Sequence, residues 1–312
     1  MAIRVKEPGL FTTVQDLGRH GYSHLGISSG GAADSLAMRI ANLLVGNAEN
    51  VASLEMTLAG PTVEFDEATV IALTGGECDC RIEGESTPMW TAFRVPAKRV
   101  LVCGRMKTGA RSYLAVQGGF DVRPIMGSAS TNTVGHFGGF EGRALRKGDL
   151  LSVLRGSNWP SRALRPGAVD GLYSRRTFRV TRAAQHDWFS PEAFGKLMSC
   201  SYRVTEESNR SGLRLKGEPI SPRIRSQLLT EGVSLGAIQV PQDGQPIILF
   251  VDQQTTGGYP KIANIISADM HRVGQLRPRD QVKFAEAAIP EAIGLLREQE
   301  EWLKQIFQHS YQ

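Results

Sequence analysis

The chain has 312 residues, 41% of them hydrophobic and 21% charged, with a net charge of +5 and an isoelectric point near 9.1. That length exceeds one ordinary core and suits two domains of a soluble globular protein. No apolar run approaches a membrane span and the opening MAIRVKEPG lacks a signal-like apolar region, so a cytoplasmic chain is expected.

The 34 glycines and 15 prolines indicate many turns and hence many short strands. The basic excess lies in Arg155, Arg162, Arg165, Arg175, Arg176, Arg179 and Arg182. Set among Gly, Pro and Ser, these read as a solvated linker. Without interleaved aromatic residues they argue against nucleic-acid binding, and suit an anionic small ligand or an acidic partner. Of the cysteines, Cys78 and Cys80 form one Cys-x-Cys pair, with no second pair and no nearby histidine, which is not a zinc pattern. With Cys103 and Cys200 they are expected to be reduced and structural.

In chain order, Ile3–Val5 and Thr12–Gln15 read as strands, and residues 22–33 as a glycine-rich loop. Asp34 is placed to cap a helix through Leu44, with Leu36, Ile40, Leu43 and Leu44 on one face and Gly46-Asn47 at its end. Strand-like runs follow at 53–58, 62–65, 70–73, 80–82, 93–95, 100–103, 112–116 and 150–153. In the first of these Leu54, Met56 and Leu58 alternate with Glu55 and Thr57, the pattern of a half-buried strand. Residues 117–148 are glycine-dense and aperiodic, and a loop of that length is functional or covers something. Arg143, Arg146 and Lys147 near its end are candidates for a partner surface. The polar stretch 156–174 is the expected boundary. A second strand series follows at 178–181, 202–205, 213–215, 237–240, 246–251, 262–267 and 281–284. One helix with Ser190 as cap and Pro191 in its first turn interrupts it. The tail, 290–308, reads as a helix with the apolar stripe Ala292, Leu296, Leu303, Ile306 and Phe307. The predicted organisation is a β-domain over 1–165, another over 175–285 and an amphipathic helix over 286–312. A series of short, regularly spaced strands argues for a barrel or sandwich.

Chemistry is expected where the apolar run 247–251 ends and Gln253, Thr255, Thr256, Gly257, Gly258, Tyr259 and Lys261 follow. Paired glycines let backbone approach a ligand, and their N–H groups suit an oxyanion or phosphate. A second polar stretch holds Gln15, Asp16 and Arg19, with His24 beyond it. Arg19 and Arg210 can hold a carboxylate, and Gln239, Gln245 and Asp243 add donors and acceptors suited to an amide, ureido or lactam ligand. Asp16 and Lys261 are the candidate catalytic groups, Asp16 to orient or deprotonate an N–H. Each of these residues also reads as a turn cap or a surface charge. The two polar stretches are expected to converge on one crevice. Gly26-Ile27-Ser28-Ser29-Gly30 matches G-x-S-x-G but lacks the strand before and helix after that a nucleophile elbow needs. No phosphate-binding G-x-x-x-x-G-K-[ST] and no H-E-x-x-H is present, so no metal site is expected.

The blocks TTVQDLGRHGY, IANLLVGN, SLEMTLAGPTVEF, SYLAVQGG, GGFEGR, SNRSGLRL, GAIQVPQDGQPI and QTTGGYPKIANIISADM occur in order along the chain. Together they resemble the KipA family, also called allophanate hydrolase subunit 2, which is similar to half of the carboxyltransferase domain of urea carboxylase. The resemblance implies a mainly β fold of two tandem cyclophilin-like β-barrels with a C-terminal helix. It also implies two partners: a KipI-like B subunit in direct contact, and a LamB/YcsF-like A subunit. The activity it implies is that of an ATP-dependent 5-oxoprolinase complex, which opens 5-oxo-L-proline to L-glutamate, with ATP used at the level of the complex. Two alternatives stay open: a carboxyltransferase half of a biotin-dependent urea carboxylase or allophanate hydrolase system, and a non-catalytic antagonist of a KipI-like kinase inhibitor. Ser211, where Met is common, and Ser35-Leu36 depart from the family's pattern.

Overall fold

The computed structural model describes residues 1–155, 163–224 and 228–308. The chain divides into two compact units. The first comprises Met1–Arg19, Gly30–Asp170 and the chain from Leu303 on; the second comprises His20–Ser29 and Gly171–Trp302. The chain is mainly β with a helix near its C-terminus, as expected, and its two units interleave in sequence through His20–Ser29 and the chain from Leu303 on.

The first unit is built on two large antiparallel sheets. Six strands run in the order Leu150–Ser152, Ala2–Glu7, Thr62–Phe65, Val100–Met106, Cys78–Ile82 and Glu85–Ser86. Five run in the order Phe11–Gln15, Ser53–Thr57, Arg111–Val116, Thr69–Gly75 and Ala92–Val95. Alternate residues of both, among them Ile3, Val5, Val63 and Phe65 from one sheet and Val14, Leu54, Leu73 and Leu114 from the other, fill one core. The register follows from this, pairing Val5 with Val63 and Val14 with Leu54.

The helix is Ser35–Leu44, and Asp34 caps it by accepting from the Ala37 N–H at 2.9 Å. It covers the outer face of the five-stranded sheet, where Thr74 Oγ1 donates to the Ala37 carbonyl at 2.8 Å. This corrects the half-buried reading of residues 53–58. Glu55, expected on a wet face, is fully buried because the helix and its entry loop lie over it. The buried carboxylate is satisfied by the Ala33 N–H at 2.7 Å and the Tyr113 hydroxyl at 2.6 Å, with Arg111 Nε at 3.7 Å. Burial, and then the Glu55 charge, push the Tyr113 phenol well above its ordinary value.

In the second unit seven strands close a barrel in the order Thr177–Arg182, Lys261–Ile265, Ala237–Gln239, Ile247–Leu249, Gly212–Lys216, Tyr202–Val204 and Gln281–Glu286. Only the closing pair, Thr177–Arg182 with Gln281–Glu286, is parallel. Ser190 caps the helix Pro191–Ser199 through the Ala193 N–H. A short helix, Met270–Val273, and the two-stranded ladder of Glu231–Gly232 with Thr256–Gly257 carry no sequence signal.

Three further expectations change. Arg179 and Arg182 belong to a barrel strand rather than a solvated linker, and Arg179 pairs with the fully buried Asp269. Part of the boundary stretch is ordered, since Ala163–Leu164 pairs with Phe307–Gln308; Pro160 and Arg162 lie outside the described residues. The tail helix is Ile289–Gln305, so Phe307 is in a strand, and of the stripe Leu303 and Ile306 are buried while Leu296 is exposed. Among the described residues no helix is long and apolar enough to cross a membrane.

Candidate functional site

The strand Phe11–Gln15 runs into a turn, and residues 128–131 close over it, with the Thr131 N–H donating to the Val14 carbonyl at 3.0 Å. The long aperiodic loop is therefore a cover. Asp16 ties the cover down. Its carboxylate accepts from Gly18 N–H (2.8 Å), Ser128 Oγ (2.7 Å), Ala129 N–H (2.6 Å) and Ser130 Oγ (2.5 Å). Arg19 is buried, donating to the Ser130 carbonyl with its guanidinium 4.8 Å from the Phe137 ring centroid. Gln15 is also buried. Its Nε2 donates to Thr13 Oγ1 at 3.0 Å and the Thr131 carbonyl at 3.4 Å, and its Oε1 has no hydrogen-bond partner among the described residues. Arg143, offered by the sequence as a partner contact, is engaged by Glu141 and Asp149.

In the second unit His24 is exposed on the short turn Ser23–Leu25. Arg210 meets Asp252, with Nε to Oδ2 at 2.7 Å and Nη2 to Oδ1 at 3.1 Å, both side chains at most 9% exposed. Asp243 Oδ1 accepts from the Gln245 N–H at 3.0 Å, and the Gln245 amide bonds both backbone groups of Gly217. These three groups hold turns and strand ends.

The loop after Ile247–Leu249 differs. Lys261 is 5% exposed and its ammonium donates to Glu231 Oε1, which also accepts from Gln185 Nε2 at 2.8 Å. Gln185 Oε1 in turn accepts the Lys261 N–H at 3.3 Å. The hydrogen-bonded Lys261 ammonium holds the Glu231 carboxyl below the usual carboxylate range. Gln239 Nε2 donates to the Tyr259 carbonyl at 3.5 Å, and Gln239 Oε1 accepts from Gln254 at 3.4 Å. Gly257 lies close against this amide, since a Cβ there would stand 2.5 Å from Gln239 Nε2 and displace it. Gln253 Nε2 donates to the Val233 carbonyl at 3.3 Å, and its Oε1 is buried with no hydrogen-bond partner among the described residues. An orphaned amide oxygen of this kind costs about 1–3 kcal/mol and offers an acceptor to a ligand N–H or a water. Thr255 accepts the Val233 N–H through its carbonyl, and Thr256 is exposed.

Beside this group lies a cleft of about 810 Å³, walled by Trp188, Ser221, Pro222, Ile224, Leu228, Thr230, Val240, Pro241, Gln242, Gly258, Tyr259 and Pro260. Glu231 and Lys261 directly follow Thr230 and Pro260 of its wall. Its aromatic rings, prolines, hydroxyls and one amide suit a small planar ligand with an amide or ureido group. Among the described residues none that lines it is charged.

Of the residues picked from sequence, Gly258, Tyr259, Lys261, Gln239 and Gln253 gather here; Gln15, Asp16 and Arg19 belong to the first unit. Glu231, Gln185 and Trp188 carried no signal, since their contacts are made by residues tens of positions away.

Comparison with known proteins places the chain. A family model described as carboxyltransferase domain, subdomain A and B, matches residues 25–286. The chain is 40% identical over 308 residues to the 5-oxoprolinase C subunit of Escherichia coli, covering 97% of each. It is 36% identical to the 5-oxoprolinase C subunit of Haemophilus influenzae, covering 94% of each. All of the chain overlays on 21% of the K. lactis urea amidolyase structure, with a TM-score of 0.92 and 29% identity. The chain thus belongs to the carboxyltransferase domain family, subdomain A and B.

Proposed function

We propose that this chain is the C subunit of an ATP-dependent 5-oxoprolinase, opening 5-oxo-L-proline to L-glutamate together with its A and B partners. The observation that carries the reading is the likeness, over nearly the whole length of both chains, to the two bacterial 5-oxoprolinase proteins. The chemistry beside the cleft supports it. A lactam presents one N–H and one carbonyl. The orphaned Gln253 Oε1 is an acceptor for the N–H, and the Lys261 ammonium is a donor for the carbonyl oxygen as it gains charge. Glu231 and Gln185 orient that ammonium. Asp16 fixes the turn that carries Arg19, and Lys261 is the reacting-centre cation. In this reading ATP is used at the level of the complex. The direct partner in this reading is the KipI-like B subunit, with the LamB/YcsF-like A subunit making up the rest of the assembly.

A second reading is favoured by the overlay on urea amidolyase: a carboxyltransferase half whose cleft takes the ureido ring of a carrier-borne biotin. Ser221, Thr230 and Gln242 supply the hydroxyl and amide groups such a ring needs.

The test is reconstitution of the three polypeptides and measurement of ATP-dependent glutamate release from 5-oxoproline. Omitting this chain is expected to abolish release. Full release without it overturns the first reading, and carboxyl transfer that requires a biotinylated carrier selects the second.

A further inference from the structure

Three of the four cysteines meet in the core of the first unit. Cys78, Cys80 and Cys103 are 6%, 1% and 3% exposed, and all are free thiols. They come from two neighbouring antiparallel strands, Cys78–Ile82 and Val100–Met106, on which Cys80 lies directly opposite Cys103. The backbone shows which kind of pair this is. The Cys103 N–H donates away from its partner strand, to the Pro61 carbonyl at 2.9 Å, and the Cys80 carbonyl accepts from the Thr87 N–H at 2.9 Å. Cys80 and Cys103 are therefore a non-hydrogen-bonded pair. In such pairs the Cα atoms stand about 4.5 Å apart, within the range of roughly 4.4–6.8 Å that a disulfide spans. The segment leading into the neighbouring strand Thr62–Phe65 leaves room for Cys103 by presenting Gly60, where a Cβ would stand 2.4 Å from Cys103 Cβ. Cys78 lies across a register irregularity from Cys80, with its Sγ 3.3 Å from the Gly104 carbonyl.

We propose that this cluster is a redox modification site, at which a peroxide enters at Cys78 and leaves a Cys80–Cys103 disulfide. Cys78, the most exposed residue of the three, attacks the peroxide through its sulfur; the O–O bond breaks, and the hydroxide departs with the Cys78 proton as one water, leaving a sulfenic acid on Cys78. Cys103 attacks that sulfur, an S–S bond forms, and the hydroxyl leaves with the Cys103 proton as a second water. Cys80 then attacks the Cys103 sulfur and Cys78 departs, taking the Cys80 proton. In sum two thiols and one hydrogen peroxide give one disulfide and two waters, the sulfurs losing the two electrons that the peroxide gains.

The thiols are unequal in a way that matches these roles. Hydrogen bonds from Cys103 and Cys80 hold the Cys78 thiol down to about 4, with Lys107 adding to this and burial and Asp79 opposing it. Cys103 and Cys80 are pushed up. The Cys78 S–H donates to the Gly104 carbonyl at 3.3 Å, so this sulfur gives up that proton as it attacks.

The experiment treats the folded, purified chain with hydrogen peroxide, counts free thiols, and maps non-reduced peptides by mass spectrometry. Thiols are expected to fall from four to two per chain, with a dithiothreitol-sensitive link between the peptides carrying Cys80 and Cys103. Fragmentation at Asp79 separates Cys80 from Cys78. In Cys200→Ser the count should fall from three to one. In Cys78→Ser the same link should form at least about tenfold more slowly. Retention of all four thiols, or a link that leaves out Cys103, overturns the proposal, and the wild-type map decides this even if a variant fails to fold. An unchanged rate in Cys78→Ser overturns the entry role of that sulfur.

Discussion

Arg210 and Asp252 form a buried two-point ion pair that is doubled by the backbone, since the Asp252 N–H also donates to the Arg210 carbonyl at 2.9 Å. The pair joins the turn before Gly212–Lys216 to the loop after Ile247–Leu249, two neighbouring barrel strands. A guanidinium so engaged acts first on the fold. Removing one member strands the other charge in the interior, at a cost of about 3–5 kcal/mol. Asp252→Ala and Arg210→Ala are each expected to lower unfolding free energy by that amount in urea titrations. The double variant Arg210→Met/Asp252→Leu should recover much of it, because no uncompensated charge is left. A single-variant loss under about 1 kcal/mol would show the pair to be solvated instead.

Lys261 is the group whose loss should separate function from folding. In the proposed reading its ammonium meets the lactam oxygen, with Glu231 and Gln185 fixing its position. Lys261→Met keeps most of the buried volume and removes the charge. The reconstituted complex is expected to lose at least about 100-fold in kcat, while Tm and assembly stay close to wild type. Glu231→Gln should produce a smaller fall in kcat, because the ammonium keeps a hydrogen-bond acceptor but loses its counter-charge. An Lys261→Met complex of near-normal turnover would remove this residue from the chemistry.

The elements were largely legible because their signals are local. Asp34, Ser190 and Pro191 stand where helix caps belong, and alternation in 62–65 and 178–181 marks strands with one face buried. The failures have one physical source, contacts between residues distant in sequence. Glu55 alternates like a solvent-facing residue, yet a helix lies over it and Tyr113, 58 positions away, satisfies its carboxylate. Asp16 reads as an available carboxylate, yet its donors Ser128 and Ser130 lie more than 110 positions ahead. At the candidate site the polar run ending in Lys261 was legible as a loop with chemistry. Its counter-charge Glu231 was not, because a two-residue ladder against Thr256–Gly257 leaves no periodic trace.

Asp269 gives the second unit a defined acid response. It is fully buried, and burial alone would raise its pKa, but Arg179 and Arg272 outweigh that. Arg179 donates from its N–H at 2.8 Å and from Nη2 at 2.5 Å, and Arg272 Nη2 lies at 2.5 Å. The folded carboxyl therefore titrates below its unfolded value of about 3.9. A depressed folded pKa contributes stability that is fully present above the unfolded value and is lost as pH falls through the folded one. Thermal unfolding of the wild type should hold steady from pH 7 to about 5 and fall steeply below about 4. Asp269→Asn should start lower at neutral pH and show a shallower acid limb, its proton uptake on unfolding reduced by about one. Parallel acid limbs for the two proteins would mean that Asp269 does not carry the response.

The helix Ile289–Gln305 offers a contrast within one element. Ile289, Ile293 and Leu296, spaced to lie along one stripe, are 65%, 47% and 36% exposed, whereas Leu303 is 2% exposed. Apolar character alone would rank these positions alike; burial separates them. Ile293→Glu removes little buried area and places a better helix former on an exposed face, so the isolated chain's stability should stay within about 0.5 kcal/mol of wild type. Leu303→Ala opens a cavity in packed surroundings and should cost about 2–5 kcal/mol. Urea titration of the two single variants distinguishes the positions directly. A large loss for Ile293→Glu in the isolated chain would mean that this stripe is covered in solution, and a negligible loss for Leu303→Ala would mean that the end of the helix is not docked.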